Sequence, residues 1–300
     1  MRVLITGNKG FIGSHLEQKL LSNGFTVDGF DIKNNLQEDI NNAESVMSKV
    51  EGVDAVIHLA AFISHKYSWL HPDETIKNNL IGTLNVLEAC RKCDTERVVV
   101  ASSCEVYGNF QEKIYGYSQP IRLKEDSPLA PESPYAGTKM GVDALCMSYY
   151  HTYKLPVVLV RQFNVFGKNQ DCSEFGAVIP IFLDNIKQGK PLMIYGDGDQ
   201  VRDFLYVDDI VDFYELTMLK NAGYYGKPIN VGSGECHSIN EIAHKILLWS
   251  GEMNYNVIHV PTRRCDLKYS LCDNSLAKKL FGWEPKWSFD DALREVIRNG

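Results

Sequence analysis

Two short stretches of this 300-residue chain carry side chains suited to moving a proton. The first is "ASSCEVYG" at 101–108, where an apolar run gives way to Ser103, Cys104 and Glu105. A carboxylate at the end of a buried strand is costly unless it is paired or put to use. The second is "SPYAGTK" at 133–139. Ser133 suits a helix N-cap and Pro134 the first helical position, which sets Tyr135 and Lys139 four apart on one face. A phenol with a pKa of about 10 is a poor base at neutral pH, and an ammonium beside it favours the phenolate. Tyr135 and Lys139 therefore read as a proton-abstracting pair.

A third constellation precedes both. Gly7, Gly10 and Gly13 follow the strand-like "RVLIT" (2–6) and open a helix-like segment. Glycine there lets the backbone turn tightly and approach a pyrophosphate, while the helix N-terminus supplies N–H groups and positive dipole. Asp31 ends the next strand-like run, "TVDGFD" (26–31). Its carboxylate suits both ribose hydroxyls, which points to NAD over the 2′-phosphorylated form. Lys33 is the nearby basic residue that argues otherwise.

These residues need a scaffold, and the apolar pattern names one. "DAVIHLA" (54–60), "RVVVAS" (97–102) and "VVLVRQF" (157–163) join the first two runs as strands, with helix-like segments between. Continuous apolar runs suit a parallel sheet covered on both faces. The expected fold is α/β, a doubly wound parallel sheet of Rossmann type with a smaller interleaved C-terminal substrate lobe. Residues 1–168 would form the dinucleotide domain, with 203–233 returning to it through "PINVGSG" (228–234). Residues 169–202 and 234–300 would form the lobe.

The totals narrow the function. A net charge of −7 without long runs of like charge argues against a nucleic-acid groove or a membrane-surface helix. The chain enters a strand directly, with no signal-like segment and no apolar stretch of bilayer length. Its eight scattered cysteines read as reduced thiols of a cytoplasmic protein. Cys90 and Cys93 form a C-x-x-C without a second Cys/His pair, so a helix end is expected there and no metal site.

Taken with "HLAA" (58–61), "NNLIGT" (78–83), "RQFNVFG" (161–167), "VRDFLYVDD" (201–209), "NVGSG" (230–234) and "FGWEP" (281–285), these motifs carry a resemblance. Almost end to end, the chain resembles an extended short-chain dehydrogenase/reductase of the nucleotide-sugar epimerase/dehydratase kind. The resemblance implies that Phe11 and Ile12 belong to the glycine loop's cofactor contacts. It sets Asp39 and Ile40 near the adenine, and Leu59, Ala60, Ala61 and Asn78 along the cofactor. Tyr135 would take a hydroxyl proton as hydride leaves for NAD⁺, Ser103 would bond the same oxygen, and Lys139 would hold the nicotinamide ribose. Asn164, Arg202, Arg263 and Asp266 match substrate-binding positions, and arginine suits a diphosphate. Where the family often has Arg-Pro-Gly-Asp, this chain has "RRCD" (263–266), so either Arg263 or Arg264 could be the phosphate ligand. The resemblance also implies a homodimer.

The acid in Ser103-Cys104-Glu105 chooses the expected reaction. Family epimerases usually carry no acid there, whereas dehydratases and decarboxylases do. Once C4 is a ketone the C5 proton is acidic, and Glu105 as base would let the C6 hydroxyl leave. Strand alternation would put Ser103 and Glu105 on one face. Cys104 occupies the slot of the dehydratases' acid and could protonate the leaving hydroxyl if the strand has ended at Ser103. The expectation is an NAD-dependent dehydratase of a UDP-hexose or UDP-N-acetylhexosamine, giving a 4-keto-6-deoxy or 5,6-ene sugar. A UDP-hexose 4-epimerase, a UDP-glucuronate decarboxylase and a non-catalytic NAD sensor rank after it, in that order.

Overall fold

Runs of Val, Ile and Leu with almost no polar interruption build strands that helices cover on both faces. The computed structural model describes residues 1–110, 116, 120–220 and 223–299. Its first strands are β1 (Arg2–Thr6), β2 (Thr26–Phe30), β3 (Ala55–His58), β4 (Arg97–Ser103) and β5 (Val157–Gln162). The chain then passes through β6 (Asn164–Phe166), β7 (Leu192–Tyr195) and β8 (Val201–Tyr206) before returning as β9 (Pro228–Val231). β1 to β5 and β9 form one parallel sheet in the order β2-β1-β3-β4-β5-β9. This is the expected doubly wound Rossmann-like sheet. The order reverses between β1 and β3, and a crevice opens beyond the carboxyl ends of strands at such a switch point.

Period-two alternation divides the core into two layers. Val3, Ile5, Val99 and Val160 face α1 (Phe11–Ser22) on one side. Leu4, Val56, Val98 and Leu159 face α2 (Ala43–Val50) on the other. α3 (His65–Leu70) and α4 (Pro72–Ile76) pack against α6 (Pro134–Tyr153), which with α5 (Gly82–Lys92) continues that second layer. Asn23 caps α1 and Gly24 follows at φ +83°, as the Asn-Gly pair predicts. Cys93 caps α5, so the C-x-x-C does finish a helix, and all eight cysteines are free.

The remaining strands form smaller sheets. β8 pairs with β6, with β10 (Cys236–Ser238) and with β12 (Tyr269–Ser270); β7 pairs with β11 (Val257–Val260). Among the described residues no helix is long and apolar enough to cross a membrane.

Strand ends differ slightly from the sequence pattern, and the differences matter. β3 stops at His58, so Leu59 and Ala60 lie in the loop above the sheet rather than in it. β4 runs to Ser103 and then tightens into a 3-10 turn, Cys104–Tyr107. Ser103 caps that turn by accepting from the Glu105 N–H at 3.2 Å. A turn, not strand alternation, therefore directs Glu105. Between α4 and α5 a π turn at Lys77–Ile81 interrupts the helix. It buries Asn79, whose side chain accepts from Phe62 N–H and donates to the Phe62 carbonyl and to Thr138. The π turn thus ties the loop after β3 to α6.

His58 closes the end of β3 between the Thr6 and Thr83 hydroxyls, at 2.7 and 2.9 Å. Burial, with the Lys139 charge nearby, pushes its imidazole down to about 3. Below pH 6.5 the unfolded chain takes up a proton that the folded chain refuses until about 3. Stability should therefore fall as pH drops through that window, by about 1.4 kcal/mol per pH unit from this group. Urea titrations from pH 7 to 4 check this: His58→Gln should flatten the slope, and an unchanged slope would refute the assignment.

Candidate active site

The glycine loop is shaped by close approach. Gly7 sits at φ +76°, and a Cβ there would meet the Ala60 nitrogen at 2.8 Å. A Cβ on Gly13 would meet the Gly7 carbonyl oxygen at 2.1 Å, which no side chain can survive without moving backbone. At Gly10 the only near atom is that same oxygen at 3.1 Å, so its outer face is open. Gly10 is also the N-cap of α1, with no side-chain cap and no acid in the first turn. An uncapped N-terminus facing open space is built for an anion. Asp31, just past β2, accepts from the Lys9 and Lys33 N–H groups at 3.0 and 2.9 Å, which fixes its carboxylate at the rim. Phe11 and Ile12 flank the loop half-buried, and Leu59, Ala60 and Ala61 line the facing edge. Asn78 lies in the π turn beside the buried Asn79, to whose Oδ1 it donates. Asp39 is held by Asn41, while the Ile40 side chain is buried against Gly82. The residues present fit a dinucleotide.

Past the loop, α6 delivers the proton-handling set. Ser133 accepts from the Ala136 N–H at 3.1 Å and Pro134 opens the helix, as the sequence predicts. Tyr135 and Lys139 are both buried. Burial pushes the Tyr135 phenol well up, and a hydrogen bond with Ser103 offsets this only in part. Burial also brings the Lys139 ammonium down to about 8. Lys139 donates to the Ala101 carbonyl at 2.9 Å. The resting phenol is therefore protonated, and it needs added positive charge to become a base.

Glu105 stands beside this pair with a partner the sequence did not suggest. Its Oε2 lies 3.3 Å from His65 Nε2, and the His65 ring meets Tyr135 edge-on at 5.3 Å. Burial opposes charge on both groups. Their mutual attraction outweighs it, so the Glu105 carboxyl lies below its usual value and the His65 imidazole above. Arg202 adds to the hold on Glu105. Nothing in the spacing of His65 and Glu105 announces the contact; a lone His after "HLAA" was its only trace.

Arg202 is buried and pairs with Asp266 at 2.6 Å, so two expected substrate residues meet at this cleft. Asn109 holds the Asp266 backbone by donating to its carbonyl at 3.1 Å. Asn164, at the start of β6, donates to the Asp203 carbonyl at 3.0 Å. The Arg263 guanidinium lies 3.8 Å from the centre of the Tyr195 ring, and both Arg263 and Arg264 are exposed. Cys265 between them and Asp266 adopts φ +58°, the conformation that suits the glycine of the family pattern. Cys104 is not aimed at the cleft. It is 3% exposed, packs with Val106, Phe163 and Cys272, and its Sγ accepts from Ser270 at 3.7 Å.

The cradle makes a direct test. Gly13→Ala should weaken NAD⁺ binding by about tenfold or more in calorimetric titration, about 1.4 kcal/mol. Unchanged affinity would mean that the loop does not seat the dinucleotide.

Comparison with known proteins extends this picture. Residues 3–232 match the family model described as "NAD dependent epimerase/dehydratase family". A UDP-glucuronate 4-epimerase of Thermodesulfobacterium geofontis is 33% identical over 98% of this chain and 94% of its own length. Among solved structures, the UDP-glucose 4-epimerase of Thermotoga maritima, with UDP-glucose, superposes at TM-score 0.90 and 28% identity, covering 99% of this chain and 98% of that one. DesIV, a dTDP-glucose 4,6-dehydratase of Streptomyces venezuelae with NAD bound, does so at 0.90 and 29%, covering 99% and 96%. A match that spans the glycine cradle, the switch-point crevice and the proton-handling helix admits one conclusion: the chain belongs to the NAD-dependent epimerase/dehydratase family, and NAD is its cofactor.

Proposed function

We propose that this protein is a dehydratase of a UDP-linked hexose or N-acetylhexosamine, working by transient oxidation at C4 and loss of water across C5 and C6. The observation that supports it is Glu105, a largely buried carboxyl whose charged form is favoured by His65 and Arg202, beside the Ser103–Tyr135 pair. Held by the glycine cradle and Asp31, NAD⁺ would supply a reversible hydride acceptor for C4 and a positive charge in the site.

Tyr135 takes the C4 hydroxyl proton, with Ser103 bonded to the same oxygen and Lys139 one turn along the same helix face. A ketone at C4 makes the neighbouring C5 proton acidic, and Glu105 removes it as general base. Arg202, set by Asp266, and Arg263, over the Tyr195 ring, offer always-charged donors for a diphosphate. Asn164 and Asp266 complete the substrate side. Cys104 drops out as the acid for the leaving hydroxyl, because its thiol is buried and pushed far above its usual value.

A 4-epimerase is the second reading, and the names of the relatives favour it: UDP-glucuronate 4-epimerase and UDP-glucose 4-epimerase are both among them. It uses Ser103, Tyr135 and Lys139 but has no task for Glu105. Incubation with UDP-GlcNAc, UDP-glucose and UDP-glucuronate, read by product mass, separates the two. Loss of water is expected; an isomer of unchanged mass would establish the epimerase instead. Tyr135→Phe should abolish turnover under either reading. Glu105→Gln should slow water loss by about a hundredfold or more while NAD⁺ still binds. Full activity with the same product would overturn the dehydratase assignment.

A further inference from the structure

Eliminating water needs an acid as well as a base, and the structure supplies an acid that spacing did not show. Resting on the dehydratase reading, we propose that His65 protonates the departing C6 hydroxyl while Glu105 takes the C5 proton.

The geometry suits a two-handed elimination. The C5 hydrogen and the C6 oxygen sit on neighbouring carbons, about one hydrogen-bond length apart on the same side. His65 Nε2 and Glu105 Oε2 are 3.3 Å apart, so one pair spans both atoms. The His65 ring also touches Tyr135, the residue assigned to C4, so the pair lies next to the carbons that react. The side chain of His65 is 32% exposed, against 12% for Glu105, and Cys104 is shut away behind them. Its backbone is fixed: Ser64 caps α3 by accepting from the Tyr67 N–H, and Asn79 pins Phe62 just before.

The charges facing the imidazole are Glu105, Asp266 and Arg202. Burial disfavours its cation, and Arg202 also opposes it. Glu105 outweighs both and Asp266 assists, so the ring is protonated above its usual range. An imidazole whose cation is favoured in this way can give up a proton to a departing oxygen.

The step balances without an outside reagent. The C5–H bond breaks toward Glu105, and its electron pair is first held by the C4 ketone as an enolate and then becomes the C5=C6 bond. The C6–O bond breaks as His65 Nε2 donates its proton, and the oxygen leaves as water. Glu105 is then neutral and so is His65. The carboxyl proton crosses their 3.3 Å contact to the imidazole and resets the pair.

His65→Gln keeps a polar side chain of similar reach but holds no transferable proton. The NAD⁺-bound full chain is given, in deuterated buffer, the UDP-sugar that the wild type dehydrates. C5 deuterium in recovered substrate and loss of water are then followed together. C5 exchange should stay within about threefold of wild type, while water loss falls about a hundredfold or more. Water loss at the wild-type rate, or a parallel fall in both, would overturn the role of His65 and leave the dehydratase reading standing. Isomers of unchanged mass from the wild type itself would instead overturn that reading, and this proposal with it. An NMR titration of ring signals in the ligand-free chain gives a readout independent of turnover. His65 should titrate above 6.5 and move down in Glu105→Gln; a signal indifferent to Glu105 would count against the pair.

Discussion

One seam between a helix and a strand holds the site together. Tyr135, Lys139 and Asp143 form a stripe at four-residue spacing along α6, and each is bonded to one of the last three residues of β4. Lys139 donates to the Ala101 carbonyl, Asp143 accepts from the Ser102 hydroxyl, and Tyr135 meets Ser103. Asp143 also pairs with Arg161 of β5 at 2.8 Å, with both side chains almost fully buried. Arg161 donates to the Tyr107 hydroxyl, which donates in turn to Asn230 of β9. The seam therefore spans three adjacent strands. A buried ion pair of this kind adds little net stability over an apolar substitute, yet removing one partner costs about 3–5 kcal/mol. Its value here is positional: it fixes the register of α6 against the strand ends, and so the distance from Tyr135 to Ser103.

That seam also sets the electrostatics of the cleft. The chain is acidic overall, but its ligand-facing features are locally positive or neutral. The uncapped end of α1 and the guanidinium groups of Arg202 and Arg263 are its positive features. Glu105 and Asp266 are each neutralised by a partner, His65 and Arg202, rather than left as bare charge. Low-dielectric surroundings raise the stakes of each pairing, because an unpaired buried charge would simply change its protonation state.

Epimerases and dehydratases share this scaffold because both begin by oxidising a ring alcohol. Identities near 30% and equal TM-scores to members of both groups reflect that shared beginning. The fate of the oxidised sugar is decided by one or two side chains near C5. In this chain the residues proposed for that role sit on a 3-10 turn after β4 and at the start of a six-residue helix after β3. Both are irregular elements held by the rigid ones, the usual place for chemistry that varies within a fold.

Much of this was legible in the amino-acid order because it depends on local rules. Glycine spacing, β-branched runs, the Ser-Pro helix start and the four-residue step from Tyr135 to Lys139 each act within a few residues of backbone. They specify the sheet, the dinucleotide loop and the proton-handling helix. Asp143 completes the same stripe and could have been found by that periodicity. The pairing of His65 with Glu105, the burial of Cys104 and the placement of Arg263 over the Tyr195 ring obey no such rule. Each joins residues from separate elements, and only the packing of the folded chain decides which of them meet and which are shut away from water.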